Sequence, residues 1–116
     1  MDSAVLNQSE ALSAKDATHP RVSLDDMKAK IDCEHYFTAG EAITALGQPT
    51  NPNSPTNLLT LCILIMQNGF TIVGKSAPAS PENFDAEKGR LFAYEDAIKQ
   101  LWPLEGYALR EKLSNL

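Results

Sequence analysis

The chain has 116 residues, of which 43% are hydrophobic and 22% are charged, and its formal net charge is −5. This length predicts one domain with a modest core. The acidic balance argues against a general nucleic-acid binder, which normally presents a basic patch. There is no signal-peptide pattern and no apolar run of roughly 18 residues, so we expect a cytoplasmic protein without a membrane partner.

The first 22 residues are rich in Ser, Ala, Asp and Asn and poor in large apolar side chains. Such a segment cannot bury enough surface to offset its ordering entropy. We therefore expect residues 1–22 to form a flexible arm and residues 23–116 to form a single domain. The alternative is a short helix in the arm that docks on a partner through Val5, Leu6 and Leu12.

Two segments that follow carry signals for the start of a helix. In "SLDDMKAKI", Ser23 is a predicted N-cap and Asp26 occupies the third helical position. In "TAGEAITALG", Thr38 and Glu41 have the spacing of a capping box, and Gly47 marks the end of the helix. The next stretch, "QPTNPNSPTN", contains three prolines in ten residues and is predicted to be a surface loop.

The stretch "LLTLCILIMQNGFTIVG", residues 58–74, predicts a β-hairpin around Asn68-Gly69. An Asn-Gly pair is the strongest short hairpin signal, because a type I′ turn needs positive φ at both central residues. A two-residue loop would place Ile65 opposite Ile72. The other predicted pairs are Gln67 with Phe70 and Ile63 with Gly74.

Both faces of the predicted first strand are apolar, whereas a small domain has only one interior. The pairing above puts Leu61, Ile63, Ile65 and Ile72 on one face. The other face carries Cys62, Leu64, Met66, Thr71, Val73 and Lys75. We expect a helix to cover one face, and a second subunit or the N-terminal helices to cover the other. A homo-oligomer formed through the hairpin face is therefore the expected assembly.

The segment "SPENFDAEKGRLFAYEDAIKQLW" predicts the main helix, with Ser80 as N-cap and an end near Trp102, because Pro103 follows. Ala93 and Ala97 should permit close approach of another element. The apolar stripe at helical spacing consists of Phe84, Leu91, Tyr94, Ile98 and Leu101. A shorter helix is predicted from about Leu104 onward. The predicted fold is α+β: short N-terminal helices, a two-stranded antiparallel hairpin, a long helix and a shorter C-terminal helix.

The sequence offers few ingredients for a metal site or for catalysis. The possible ligands are His19, Cys33, His35 and Cys62, and no second pair follows Cys33 and His35 at zinc-finger spacing. Cys62 lies in mid-strand, where a buried thiol is a poor nucleophile. No nucleophile, base and orienter can be assembled. We therefore predict no metal, no cofactor and no enzymatic activity.

A set of cationic, amide and aromatic side chains in the C-terminal half suits a different chemistry. Aromatic faces stack on bases, and guanidinium groups pair with phosphate. The candidate ligand-binding residues are Asn83, Arg90, Tyr94, Trp102, Tyr107 and Arg110, joined by Lys75 if its face meets a partner. The alternative is that the three aromatic residues belong to the core, with the arginines bonded to helix carbonyls or snorkelling.

The sequence from Leu59 to Leu113 resembles a family of small proteins of tailed phages and prophages, named after early-gene products of a few podoviruses. The resemblance is carried by "LTLC", "NGFTIVG", "SPENFD" and "WPLEGY", with "HYFTAGEA" before the strand. Relatives typically read Gly-Glu-Ser-Ala-Cys where this chain has "GKSAP", so Lys75 and Pro78 depart from the pattern. The resemblance implies a phage protein without a known enzymatic activity.

The chain is also similar, more loosely, to phage anti-defence proteins that sequester the nucleotide-type signals of bacterial immunity at subunit interfaces. That similarity implies a small oligomeric binding module that sequesters a host signal. The alternative is a protein–protein inhibitor of a host enzyme, which would use the acidic surface and the N-terminal arm. A small hydrolase is disfavoured, because the catalytic groups are missing.

Overall fold

The computed structural model describes all 116 residues and has an α+β fold. The helices are α1 (Ala4–Ala14), α2 (Leu24–Ala29), α3 (Ala39–Ala45) and α4 (Ala86–Ser114), and the strands are β1 (Ile31–Thr38), β2 (Thr60–Met66) and β3 (Thr71–Ser76). Single 3-10 turns lie at Pro55–Leu58 and Pro81–Asn83. None of the helices combines the length and the hydropathy needed to cross a bilayer.

The sheet has three antiparallel strands in the order β1-β2-β3, so the prediction of a two-stranded hairpin was wrong. The missed strand, β1, has the sequence "IDCEHYFT" and lies at an edge of the sheet. Polar side chains occur at both odd-numbered and even-numbered positions of this sequence. It therefore lacks the alternation of apolar and polar residues that identifies a half-buried strand. The strand forms because β2 offers it a partner, with Tyr36 opposite Cys62 and Phe37 opposite Leu61.

The hairpin register differs by one residue from the predicted one. Ile65 lies opposite Thr71, and the Met66 N–H donates to the Phe70 carbonyl (2.8 Å). The loop between Met66 and Phe70 therefore has three residues, and its last residue, Gly69, has a φ of +88°. A three-residue loop that ends in a left-handed residue is the next most common hairpin connection after the two-residue loop.

The inner face of the sheet packs on α4, and this contact closes the core. At Gly74 the two elements come close: a Cβ there would lie 2.1 Å from the Ala93 carbonyl oxygen and 2.6 Å from the Ala97 nitrogen. The prediction that Ala93 and Ala97 permit close approach is confirmed. The buried side chains along this contact are Cys62, Leu64, Met66, Ile72, Tyr94, Ile98 and Leu101.

The outer face of the sheet is left partly exposed. Because the register differs by one residue, Ile63 shares this face with Val73, which is 50% exposed. The face carries an apolar patch made of Phe37, Leu61, Ile63, Ile65 and Val73. We call this set the outer patch. β2 is the central strand: its inner side chains pack on α4, and its outer side chains, Leu61, Ile63 and Ile65, form the middle of the outer patch.

The main helix begins later than predicted. Its N-cap is Asp85, whose side chain accepts a hydrogen bond from the Lys88 N–H (3.0 Å). The predicted cap, Ser80, instead precedes the separate turn Pro81–Asn83 and makes no capping hydrogen bond. Phe84 therefore lies outside the helix that carries the rest of the predicted stripe.

The main helix also ends later than predicted, because it runs through Pro103. The predicted shorter C-terminal helix is the second half of α4. Proline removes the N–H that would bond the carbonyl four residues earlier, here that of Lys99. Both residues are exposed, so water can satisfy this carbonyl and the helix continues.

The local signals of the two short helices are confirmed. The Ser23 hydroxyl oxygen accepts a hydrogen bond from the Asp26 N–H (3.1 Å) at the start of α2. Thr38 and Glu41 form the capping box at the start of α3, and Gly47 follows that helix at a φ of +70°.

The segment predicted as a flexible arm contains a docked helix, α1. Its Leu6 is 5% exposed and belongs to the core, and Ser3 caps the helix and donates a hydrogen bond to Glu95 of α4. Glu10 pairs with Arg21, and this hydrogen bond lowers the pKa of Glu10. The division of the chain into a flexible arm (residues 1–22) and a single domain (residues 23–116) stays a prediction.

The contact at Gly74 generates a stability prediction. Gly74→Ala should lower the free energy of unfolding by about 2 kcal/mol, because the new methyl group meets backbone atoms that can move only if α4 shifts. Chemical denaturation measures the change.

The control is Gly106→Ala in α4, where nothing lies within 4 Å of the new Cβ. There the better helix propensity of alanine should raise stability by up to about 1 kcal/mol. Equal effects of the two substitutions would contradict the close packing of β3 on α4.

Candidate functional site

The structure does not bring the seven predicted ligand-binding residues together. Arg90 and Arg110 both lie on α4, but twenty positions separate them, which is about 30 Å along a helix axis. Tyr94 is 1% exposed and belongs to the core, whereas Tyr107 is 73% exposed. No single ligand of small size can contact this whole set within one chain.

The remaining three predicted residues also lie apart. Trp102 is partly buried against the core. Asn83 is exposed in the turn before α4, and Lys75 is exposed on β3, where its N–H donates to the Asp96 carboxylate (2.9 Å). For Tyr94 and Trp102 this placement matches the alternative interpretation, in which the aromatic residues pack in the core.

One concave site does include a predicted residue, Arg90. It is a pocket of about 260 Å³ at the end of the sheet where β1 finishes, β2 begins and α4 makes its first turns. We call it the sheet-end pocket. Its lining consists of Tyr36, Phe37, Thr38, Glu41, Asn57, Thr60, Phe84, Ala86 and Arg90.

Some polar groups of this pocket already make hydrogen bonds within the chain, and others do not. The Glu41 carboxylate accepts hydrogen bonds from the Thr38 N–H (3.3 Å) and hydroxyl (3.1 Å), so it is committed to the capping box. Tyr36 donates its hydroxyl hydrogen to Glu34 (2.7 Å). Arg90 is exposed and has no hydrogen bond or ion pair within the chain. Its guanidinium is therefore available to an anionic ligand.

Thr60 supplies a buried hydroxyl without a partner. The residue is 3% exposed, and its Oγ1 has no hydrogen bond. Its near neighbour on α4 is Gly89, where an added Cβ would lie 2.6 Å from that oxygen and which offers no side-chain donor or acceptor. Buried polar groups are almost always hydrogen-bonded, and exceptions often mark sites where a ligand or water binds.

Tyr36 in the pocket, and Cys62 and Tyr94 in the core on which Tyr36 packs, stay neutral at physiological pH. Burial raises the pKa of the Cys62 thiol to about 11 and that of the Tyr94 phenol to about 12. Burial, with the hydrogen bond to Glu34, also raises the pKa of Tyr36. Cys62 is thus a thiol rather than a thiolate nucleophile, and both phenols keep their hydroxyl hydrogen.

Residues 22–113 match the model of the phage protein family described as N4 Gp49/phage Sf6 gene 66. The chain belongs to this family. The resemblance seen in the sequence is confirmed, and the match includes every residue of the sheet-end pocket, while α1 lies outside it. No curated protein and no solved structure matches the chain.

The sequence did not identify most of the residues that line the sheet-end pocket. Thr60 is the first residue of β2, Tyr36 lies on the unpredicted strand β1, and Asn57 lies in the turn Pro55–Leu58. They meet only because β1 pairs with β2. Nothing local in the sequence marks these residues as neighbours. The one residue found in advance, Arg90, was identifiable because guanidinium groups pair with phosphate and aromatic side chains accompany it in the sequence.

The unpartnered hydroxyl of Thr60 generates a second prediction. Thr60→Val replaces this hydroxyl with a methyl group of nearly the same shape, so the desolvation cost of the buried oxygen disappears. The free energy of unfolding should rise by about 1 kcal/mol, as measured by chemical denaturation.

Thr71→Val is the matched control, because Thr71 is exposed on β3 and should change stability by less than about 0.5 kcal/mol. A clear loss of stability in Thr60→Val would mean that the hydroxyl has a partner in the free protein.

Proposed function

We propose that this phage protein acts by binding rather than by catalysis, and that it sequesters a small nucleotide-type signal in the cytoplasm of the host. The observation that carries the proposal is the sheet-end pocket. It combines the available cation of Arg90, the half-buried rings of Tyr36 and Phe84 and the unpartnered hydroxyl of Thr60. Membership of a phage family supports an accessory role during infection.

Each of these groups fits one part of a nucleotide. A guanidinium pairs with phosphate oxygens through charge-assisted hydrogen bonds. An aromatic ring stacks on the face of a base, and a buried hydroxyl can donate to, or accept from, its edge. The pocket volume of about 260 Å³ suits one base or nucleoside. The phosphate would then lie at the mouth, beside Arg90.

The contact between the Cys33 thiol and the His35 imidazole favours a binding role over catalysis, because it lacks the other groups that a catalytic site needs. Cys33 and His35 lie 3.6 Å apart, but no carboxylate or amide hydrogen-bonds to the imidazole to orient it. No third group completes a nucleophile, base and orienter. The pair also lies on the outer face of the sheet rather than in the pocket.

The proposal predicts that Arg90 and Arg110 behave differently. Arg90→Gln should weaken the binding of a phosphate-bearing ligand by about 10- to 100-fold, because a hydrogen bond to a charged group contributes about 1.5–3 kcal/mol. Arg110→Gln removes the same charge from the far end of α4 and should leave the affinity within about twofold. Calorimetric titration against a panel of cyclic nucleotides and cyclised ADP-ribose isomers measures both.

The ligand should be recovered intact after release from the protein, because the proposed role is sequestration. Recovery of a converted product would contradict the non-enzymatic role. Equal loss of affinity in the two arginine variants would contradict the proposal that the ligand binds in the sheet-end pocket. If no member of the panel binds to the wild-type protein, the nucleotide proposal fails.

The second candidate function is the inhibition of a host enzyme by direct contact. The observation that favours it is an apolar pair on α1: Val5 and Leu12 lie seven positions apart and are 59% and 76% exposed. Residues two turns apart lie on one side of a helix, so they could meet one partner surface. Deletion of residues 1–22 does not test this candidate cleanly, because it would also remove Leu6 from the core.

We propose further that two copies of the chain associate through the outer patch. The patch is apolar and partly exposed, whereas the free edge of β3 is already occupied by side chains of α4. Gln100 donates to the Val73 carbonyl (2.7 Å), and Asp96 accepts from the Lys75 N–H (2.9 Å). These contacts oppose extension of the sheet at β3, so a partner copy would meet the face rather than this edge.

A further inference from the structure

Cys33 and His35 form a pair of potential metal ligands on the outer face of the sheet. They lie two positions apart on β1, so both side chains project from the same face. The Cys33 Sγ and the His35 Nε2 are 3.6 Å apart, and His35 is exposed. In the free chain this contact is a weak hydrogen bond between thiol and imidazole.

The separation of the two atoms is also the one that a shared zinc ion requires. With a Zn–S bond of about 2.3 Å and a Zn–N bond of about 2.0–2.1 Å, tetrahedral coordination places sulfur and nitrogen about 3.5–3.6 Å apart. Cys33 and His35 could therefore occupy two corners of such a site without rearrangement of the strand. The pair is half of a Cys₂His₂ ligand set.

One chain does not supply the other half. No group of three or more His, Cys, Asp and Glu side chains that could hold a metal ion exists within it. A second copy packed on the outer patch would bring its own Cys33 and His35 to the same place if the two-fold axis passes between the pairs. Stacked sheets lie about 10 Å apart, so a metal midway is about 5 Å from each sheet, within reach of both side chains.

The side chains around Cys33 and His35 suit a buried metal site that carries no net charge. Ile65 lies opposite Cys33 on β2, and Ile63 lies opposite His35. These side chains would shield the metal from water in a dimer. Two thiolates balance the charge of Zn²⁺ and two imidazoles add none, so no net charge is buried in an apolar interface.

We propose that two copies of this chain bind one tetrahedral Zn²⁺ ion between them, through Cys33 and His35 of each. Binding displaces the proton of each Cys33 thiol to water. The sequence alone predicted no metal site because a second ligand pair is missing, and the partner copy supplies that pair. The inference rests on the proposed dimer and not on the nucleotide proposal, which is tested separately in the presence of a chelator.

The test is a titration of the full chain with Co²⁺ under reducing conditions, followed by absorption spectroscopy and sedimentation. Cobalt replaces zinc and reports its geometry. We expect tetrahedral d–d bands with a thiolate charge-transfer band, saturation at one ion per two chains, and a doubling of the mass. Zinc should displace the cobalt and abolish the bands.

Cys33→Ser and His35→Gln should each lose the bands and the metal-dependent doubling of the mass. The matched control is His19→Gln, which removes the other histidine, from the exposed segment between α1 and α2, and should behave like the wild type. Far-UV circular dichroism checks the fold of each variant. Absence of tetrahedral bands in the wild type, saturation at one ion per monomer, or loss of the bands in His19→Gln would overturn the proposal.

Discussion

The close contact of Gly74 with α4 is the constraint on which the rest of the fold depends. Because Gly74 has no side chain, the backbone of β3 reaches the helix at Ala93 and Ala97, both of which are fully buried. This contact fixes which face of the hairpin is inner. It also places Asp96 and Gln100 where they bond the free edge of β3. One helix thus closes one face of the sheet and protects one edge.

The same constraint separates the surfaces that are available for function. The outer patch is left open because the only long helix packs on the opposite face. The sheet-end pocket forms where the first turns of α4 pass the ends of β1 and β2, and Arg90 is positioned there by the start of the helix. The two surfaces share only Phe37, so substitutions at Arg90 and at Ile63 test ligand binding and the association of two copies separately.

The sequence predicted features that depend on neighbouring residues. The caps at Ser23 and Thr38 were recognisable because a side chain and a backbone N–H three residues away suffice to form them. The place of the hairpin turn followed from Asn68-Gly69. Its length did not, because Gly69 serves two-residue and three-residue loops alike. This difference of one residue in loop length shifted the predicted pairing of β2 with β3, so that Ile65 lies opposite Thr71 and not opposite Ile72.

Features that depend on tertiary contacts were missed. β1 has weak local signals and is a strand only because β2 accepts it at its edge. Pro103 would end an isolated helix, but the exposed side of α4 tolerates the missing hydrogen bond. For the same reason only Arg90 of the sheet-end pocket was found in advance, since its other members come from three separate stretches of the chain, 36–41, 57–60 and 84–86.

The central claim is that α4 closes the inner face, while the outer patch is the surface through which two copies meet. Sedimentation velocity in zinc-containing buffer, on the wild type and on Ile63→Lys, tests it most directly. The account predicts a dimer for the wild type. A lysine in the middle of the outer patch should leave a folded monomer, while Gln67→Lys in the exposed turn should remain dimeric. A monomeric wild type, or an Ile63→Lys variant that stays dimeric, would contradict the claim.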